Sequence, residues 1–201
     1  MLKRLILAGL IGMAIWNLGS GVYMSAKAIL AQWLLQEAWY KTQRMGGHYK
    51  PWPWADTWPL ARLHFASQDQ HLVVLNGASG RNLAFAPAHL SASVKPGESG
   101  VSVIGGHRDT HFAFLEQVQI GESFELERAD GLRQSFRVSE IHIADIRQSQ
   151  IALEADRPVL ALVACYPFRT LERDSPLRYL VIAEAEEVLD RSAVGIHKFY
   201  L

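Results

Sequence analysis

The chain has 201 residues, a formal net charge of zero and nearly half of its residues apolar, which suits one domain with a full hydrophobic core. Twenty basic and twenty acidic side chains balance, leaving no electrostatic footprint for a nucleic-acid partner. The single cysteine, Cys165, excludes an intramolecular disulfide, so its thiol serves either packing or reactivity.

From Leu5 to Ala26 the sequence runs 22 residues without a charge. At about 1.5 Å per residue a helix of that length spans roughly 33 Å, close to the hydrocarbon core of a bilayer, so a transmembrane anchor is expected over residues 1–26. Lys3 and Arg4 precede it, which keeps the N-terminus in the cytoplasm and sends the body across. A cleaved signal peptide is the competing reading. Met24-Ser25-Ala26 and Gly19-Ser20-Gly21 match a cleavage site poorly, which favours the uncleaved anchor. Trp16, Asn17 and several glycines dilute the span. Either reading places the body outside the cytoplasm.

Residues 27–59 read as an amphipathic helix followed by a connector. Ile29, Leu30, Trp33, Leu34, Ala38 and Trp39 recur at helical spacing, and Gly46-Gly47 closes the helix. Pro51-Trp52-Pro53-Trp54-Ala55-Asp56-Thr57-Trp58-Pro59 carries too many prolines for regular structure. Its tryptophans predict a stiff segment laid against the domain, a membrane-interface belt being the alternative.

Residues 60–201 form the body and read as mainly β. Strands are expected at 62–65, 72–75, 83–85, 101–104, 123–127, 134–138, 141–144, 159–164 and 178–183, punctuated by Gly-, Pro- and Asp-containing turns. This spacing suggests a small barrel or sandwich. Short helices are expected at His111–Gln117 and Glu186–Arg191.

Three stretches carry chemistry. Leu160-Ala161-Leu162-Val163-Ala164-Cys165-Tyr166-Pro167-Phe168 is an apolar strand stopped by a proline, with Cys165 at its exit. Gly105-Gly106-His107-Arg108-Asp109-Thr110-His111-Phe112 puts His107 at the end of another apolar strand. Ser175-Pro176-Leu177-Arg178-Tyr179-Leu180-Val181 opens a third with Arg178. A barrel can gather three strand ends at one rim. A free thiol of pKa about 8.5 is only a few per cent ionised at neutral pH, and an adjacent imidazolium raises that fraction. His107 would then protonate a departing amine, and the permanently charged Arg178 would stabilise a tetrahedral intermediate. Taken singly, a buried structural thiol, a hydrogen-bonded rim histidine and a solvated strand-end arginine are the commoner readings of these residues. Arg169 and Arg173 are rivals to Arg178 in the loop after the cysteine, and His89, His107 and His111 lack the spacing of a zinc motif.

Together these stretches resemble the sortases, membrane-anchored cysteine transpeptidases, and come closest to their Gram-negative, proteobacterial branch. The resemblance runs from about Trp52 to Ala185, and it rests on the order, spacing and joint occurrence of the motifs. It implies an eight-stranded barrel behind a membrane anchor, with Cys165 as nucleophile, His107 as general acid and base, and Arg178 as oxyanion or substrate stabiliser. It further implies that an LPxTG-like signal near the C-terminus of a secreted protein is cleaved through a thioacyl enzyme, which an amine acceptor then resolves. The expected location is the inner membrane, single-pass, with the domain in the periplasm.

The chain departs from the family pattern at Ala164, where threonine is usual, at Val101, where asparagine is frequent, and through Ala86–Ser93, where glycine is richer. These departures leave the three reactive residue types in place. No cofactor or metal is expected. The rival functions are a plain cysteine hydrolase and a non-catalytic or weakened barrel that binds or scaffolds peptides.

Overall fold

The computed structural model describes residues 2–170 and 174–186. Eight strands close into a barrel in the order β1-β2-β3-β4-β7-β8-β6-β5. They are β1 (Pro59–Phe65), β2 (Gln70–Asn76), β3 (Ala88–His89), β4 (Gly100–Gly106), β5 (Ser123–Arg128), β6 (Arg133–Asp145), β7 (Pro158–Cys165) and β8 (Leu177–Ala185). Closure removes the unpaired edges that an open sheet would expose. The expectation of a mainly β, eight-stranded barrel with few helices is met.

Alternation along the strands sorts the side chains into an inside and an outside. Leu63, Phe65, Ile104, Phe124, Leu126, Phe136, Leu160, Leu162, Ala164 and Val181 fill the interior. Between β4 and β7 the odd-numbered residues point outward and form a second cluster of Val101, Val103, Val159 and Ala161. These two parallel strands are therefore apolar on both faces, which is why they read as continuous hydrophobic runs.

A helix, α1 (Leu2–Met45), precedes the barrel. Its second half carries a buried stripe of Ala31, Leu35, Ala38, Trp39 and Thr42. Leu35 and Trp39 pack on Val73, Leu75, Ala86 and Ala88 of the outer wall, with Trp52 of the proline-rich connector beside them. The Arg62 guanidinium lies over the Trp39 ring at 5.4 Å, and Gln32 Nε2 donates to the Phe85 carbonyl at 2.7 Å. Gly46, at φ 68°, ends the helix by donating its N–H to the Thr42 carbonyl, the left-handed cap that glycine adopts without steric cost.

The structure corrects several expectations. Among the described residues no helix is long and apolar enough to cross a membrane, so the transmembrane anchor over 1–26 is not supported. Gly9, Gly12, Gly19 and Gly21, with Asn17 and Ser20, thin the apolar content of that stretch. The first half of α1 leaves Ile6, Leu10, Ile15 and Trp16 exposed, and the helix continues past residue 26 without a break. The strand expected at 83–85 is instead the end of a one-turn helix, α2 (Gly80–Leu83), capped where Ser79 Oγ accepts from the Asn82 N–H. The strands expected at 134–138 and 141–144 are one, β6, whose register slips between Val138 and Glu140. The helix expected at His111–Gln117 is a shorter 3₁₀ turn, Ala113–Gln117. The expected helix at Glu186–Arg191 lies, beyond its first residue, outside the described residues, as does Arg173.

Candidate active site

The order of the strands brings Cys165, His107 and Arg178 to one rim. β4 and β7 run parallel with Gly106 opposite Ala164, so the next residue on each chain is His107 on one side and Cys165 on the other. β8 runs antiparallel to β7 with Arg178 directly opposite Cys165. Directly opposed residues hold their Cβ atoms about 4.5–5.5 Å apart on the same face. Thus three neighbouring strands deliver a thiol, an imidazole and a guanidinium to the same end of the barrel. Cys165 continues the outward row of Val159, Ala161 and Val163, placing the thiol outside the packed interior.

Each group is held for a local reason. Cys165 is half-buried and free, whereas His107 is exposed. The His107 carbonyl accepts from the N–H groups of Thr110 at 3.3 Å and Phe112 at 3.0 Å, which curls the chain into a tight turn. Phe112 is fully buried, and its ring lies where a side chain on Gly106 would begin, 2.6 Å from an ideal Cβ. Only glycine admits so close a ring at the residue before the histidine. Arg178 Nη1 donates to the carbonyls of Ser175 and Leu177, each at 2.8 Å, fixing the guanidinium at the mouth of β8. Among the described residues no hydrogen bond joins Cys165 to His107, an open arrangement of the kind that tightens when substrate binds.

The surroundings add groups that the sequence reading passed over. His111 is half-buried, and its pKa lies below the ordinary histidine value, first because of burial and then because His107 is near; a hydrogen bond to the Phe85 backbone opposes the shift. Tyr166, Phe168 and Tyr179 form an aromatic cluster, with Phe168 and Tyr179 in edge contact at 5.1 Å. Burial, then Glu116, then Tyr166 raise the Tyr179 pKa. Aromatic residues flanking the cysteine in sequence were the available signal for this cluster. Asp109, two residues after His107, faces Arg108 Nε at 3.5 Å. Arg169 pairs with Glu116 at 2.9 Å, which engages this rival to Arg178 elsewhere.

Of the other histidines, His89 is buried, with Nε2 2.8 Å from the Val94 carbonyl. Among the described residues no three His, Cys, Asp or Glu side chains are grouped to hold a metal. Ala164, at the position where the resemblance places threonine, is buried in the barrel interior.

Residues 64–186 match the family model of the sortase domain. The chain belongs to the sortase family. A curated relative, Sortase D of Bacillus subtilis (strain 168), is 28% identical over 111 residues, which is 55% of this chain and 55% of that protein. The chain thus matches about half the length of that relative. Among solved structures, Sortase A from Corynebacterium diphtheriae shares the fold at a TM-score of 0.60 with 23% identity, covering 69% of this chain and 65% of that one. Sortase C from Clostridium perfringens SM101 shares it at 0.57 with 17% identity, covering 81% and 91%. The barrel is the sortase fold, and the three residues singled out in the sequence stand together at one end of it.

Proposed function

We propose that this sortase is a cysteine transpeptidase of the Gram-negative type, with Cys165 as nucleophile, His107 as general acid and base and Arg178 as the stabiliser of the oxyanion or substrate. The observation that carries this reading is the register that sets Gly106 against Ala164 and Cys165 against Arg178. The Cys165 thiolate attacks the carbonyl carbon of the scissile amide, and the C–N bond breaks as His107 gives a proton to the departing amine. The thioester that remains is attacked by an amine acceptor, which loses a proton to His107. A new amide forms and the thiolate is released. Arg178 faces the carbonyl oxygen as negative charge develops there, where a preorganised cation lowers the barrier most.

The substrate class is a secreted protein bearing an LPxTG-like signal. The partly buried Val163, two residues before Cys165 on the outward row of β7, and the aromatic cluster of Tyr166, Phe168 and Tyr179 support this, because they offer apolar surface beside the thiol. A short extended peptide with an apolar side chain fits such a surface. We place the reaction at the periplasmic side of the inner membrane, a reading supported by Lys3 and Arg4 ahead of an uncharged stretch and by the exposed apolar residues of α1. Protease added to intact spheroplasts should then digest the barrel, and protection until lysis would contradict that placement.

Cleavage of signal peptides in the presence of an added amine tests the chemistry. Cys165→Ala and His107→Ala should abolish turnover, while Arg178→Ala should retain about a hundredth to a thousandth of it. Wild type should yield the amide adduct in preference to the free acid. Free acid alone would make the protein a hydrolase, and inert Cys165 with retained peptide affinity would make it a binding module.

A further inference from the structure

The last rung of the β4–β7 ladder is Gly106 against Ala164, one residue short of both reactive groups. Beyond it something else must keep the His107 turn in place against the segment that leaves Cys165. Arg108 sits between them. It follows His107 directly but turns the opposite way, its side chain only 8% exposed while His107 faces solvent. A guanidinium buried to this degree requires partners that compensate its lost hydration. Its Nη2 donates to the carbonyl of Thr170 at 3.4 Å, in the segment after Cys165, and its Nε faces Asp109. One side chain therefore joins the turn that carries the imidazole to the segment that follows the thiol.

A second link joins the same two segments from outside, where Arg169 pairs with Glu116 at 2.9 Å. That pair is largely exposed, Arg169 being 79% accessible, and exposed ion pairs contribute little. Phe168, packed against the interior and Tyr179, anchors the segment between. Arg108, Arg169 and Phe168 all line one cleft of about 430 Å³ beside the His107 turn.

We propose that Arg108 is a positioning residue, a clasp that holds the His107 turn against the chain leaving Cys165 and so sets the distance between imidazole and thiol. The proposal rests on the reading of His107 and Cys165 as the reacting pair. Displacement of a reacting group by about 1 Å is enough to cost a hundredfold in rate, so loss of such a clasp is expected to register in the chemistry of the thiol.

The test is the pH profile of Cys165 alkylation by iodoacetamide, measured on the full chain for wild type, Arg108→Gln, Arg108→Lys, His107→Ala, Glu116→Gln and the double variant His107→Ala/Arg108→Gln. Among the described residues, the charged and titratable groups on the elements around this rim are His107, Arg108, Asp109 and His111 on the turn after β4, Glu116 on the 3₁₀ turn that follows, Tyr166 and Arg169 after β7, Asp174 ahead of β8, and Arg178 and Tyr179 on β8. Arg108→Gln should move the profile in the same direction as His107→Ala, with a change of about tenfold in rate at neutral pH. Arg108→Lys, which keeps the charge but not the fork, should fall between. Glu116→Gln should match wild type, and the double variant should match His107→Ala alone. A wild-type profile in folded Arg108→Gln, beside a shifted one in His107→Ala, overturns the clasp and leaves the catalytic reading standing. An unshifted His107→Ala profile overturns that reading and the clasp with it. Where Arg108→Gln fails to fold, Arg108→Lys decides: an intermediate profile supports the proposal and a wild-type profile overturns it.

Discussion

The barrel wall has two outer faces that are covered differently. Over β2 and β3 lies the second half of α1, with Leu35 and Trp39 sealed against Leu75 and Ala88, all at 1% exposure or less. Over β4, β7 and β8, among the described residues, the connection between β6 and β7 lays Ile151 and Ala155 against the wall. There Cys165 stays half-buried and His107 exposed. On the proposed reading, the same strand chemistry serves stability where the helix covers it and reactivity at the rim, where Cys165 is half-buried and His107 exposed. A closed barrel supplies rigidity to both faces, and the exposed rim can carry reactive groups without weakening the core beneath.

Substitutions on each face should separate these roles. Cys165→Ala is expected to remove peptide cleavage to background, a loss of about a thousandfold or more, while shifting the melting temperature by less than about 2 °C, since a half-buried side chain at a strand end contributes little. A parallel collapse in thermal stability would show that the open face is structural after all. Trp39→Ala should do the reverse. Deleting a fully buried indole destabilises by about 3–5 kcal/mol, readable as a lower urea midpoint, with the turnover of each folded molecule unchanged.

Gly106→Ala lies where the two roles meet. The added methyl group would meet the Phe112 ring, so a loss of about 1–3 kcal/mol is expected from overpacking. Slower Cys165 alkylation should accompany it, because the displaced turn carries His107. Phe112→Leu in the same chain should recover part of the melting temperature. The smallest effect concerns His89, far from the rim in sequence. Burial is the main reason its pKa lies below 6.5, with the backbone hydrogen bond to Val94 opposing the shift. A histidine whose folded pKa is depressed contributes stability above the unfolded value, and that contribution is lost as pH falls below about 6.5 and through the folded pKa. His89→Gln should therefore flatten the dependence of melting temperature on pH between about 5 and 7; an unchanged slope would assign that dependence to other groups.

Much of this architecture was legible because it follows from periodicity. β7 stood out as a continuous apolar run because both of its faces are buried, and its proline stop located Cys165. The strand ends carrying His107 and Arg178 were readable for the same reason. Local capping defeated the pattern at Leu83–Phe85, where alternation suggested a strand but Ser79 and the Asn82 side chain, which donates to the Gly77 carbonyl at 2.9 Å, close a helical turn. In β6 the slip between Val138 and Glu140 changes the phase of the alternation, so one bent strand read as two. The uncharged stretch at the N-terminus suggested a membrane span on length and lack of charge, and Asn17, Ser20 and four glycines within it dilute its apolar content. Arg108 could not be distinguished in sequence from a solvated charge, because its burial depends on Thr170 from a distant strand exit.

The central claim is that the thiol of Cys165 carries the acyl group. The most direct measurement is peptide-mapped mass spectrometry of the full chain mixed with a library of LPxTG-type peptides, quenched before and after addition of hydroxylamine. An acyl adduct on Cys165 that hydroxylamine releases as the hydroxamate is the expected result. Peptide cleavage that persists in Cys165→Ala, or an adduct mapped to another residue, would contradict it.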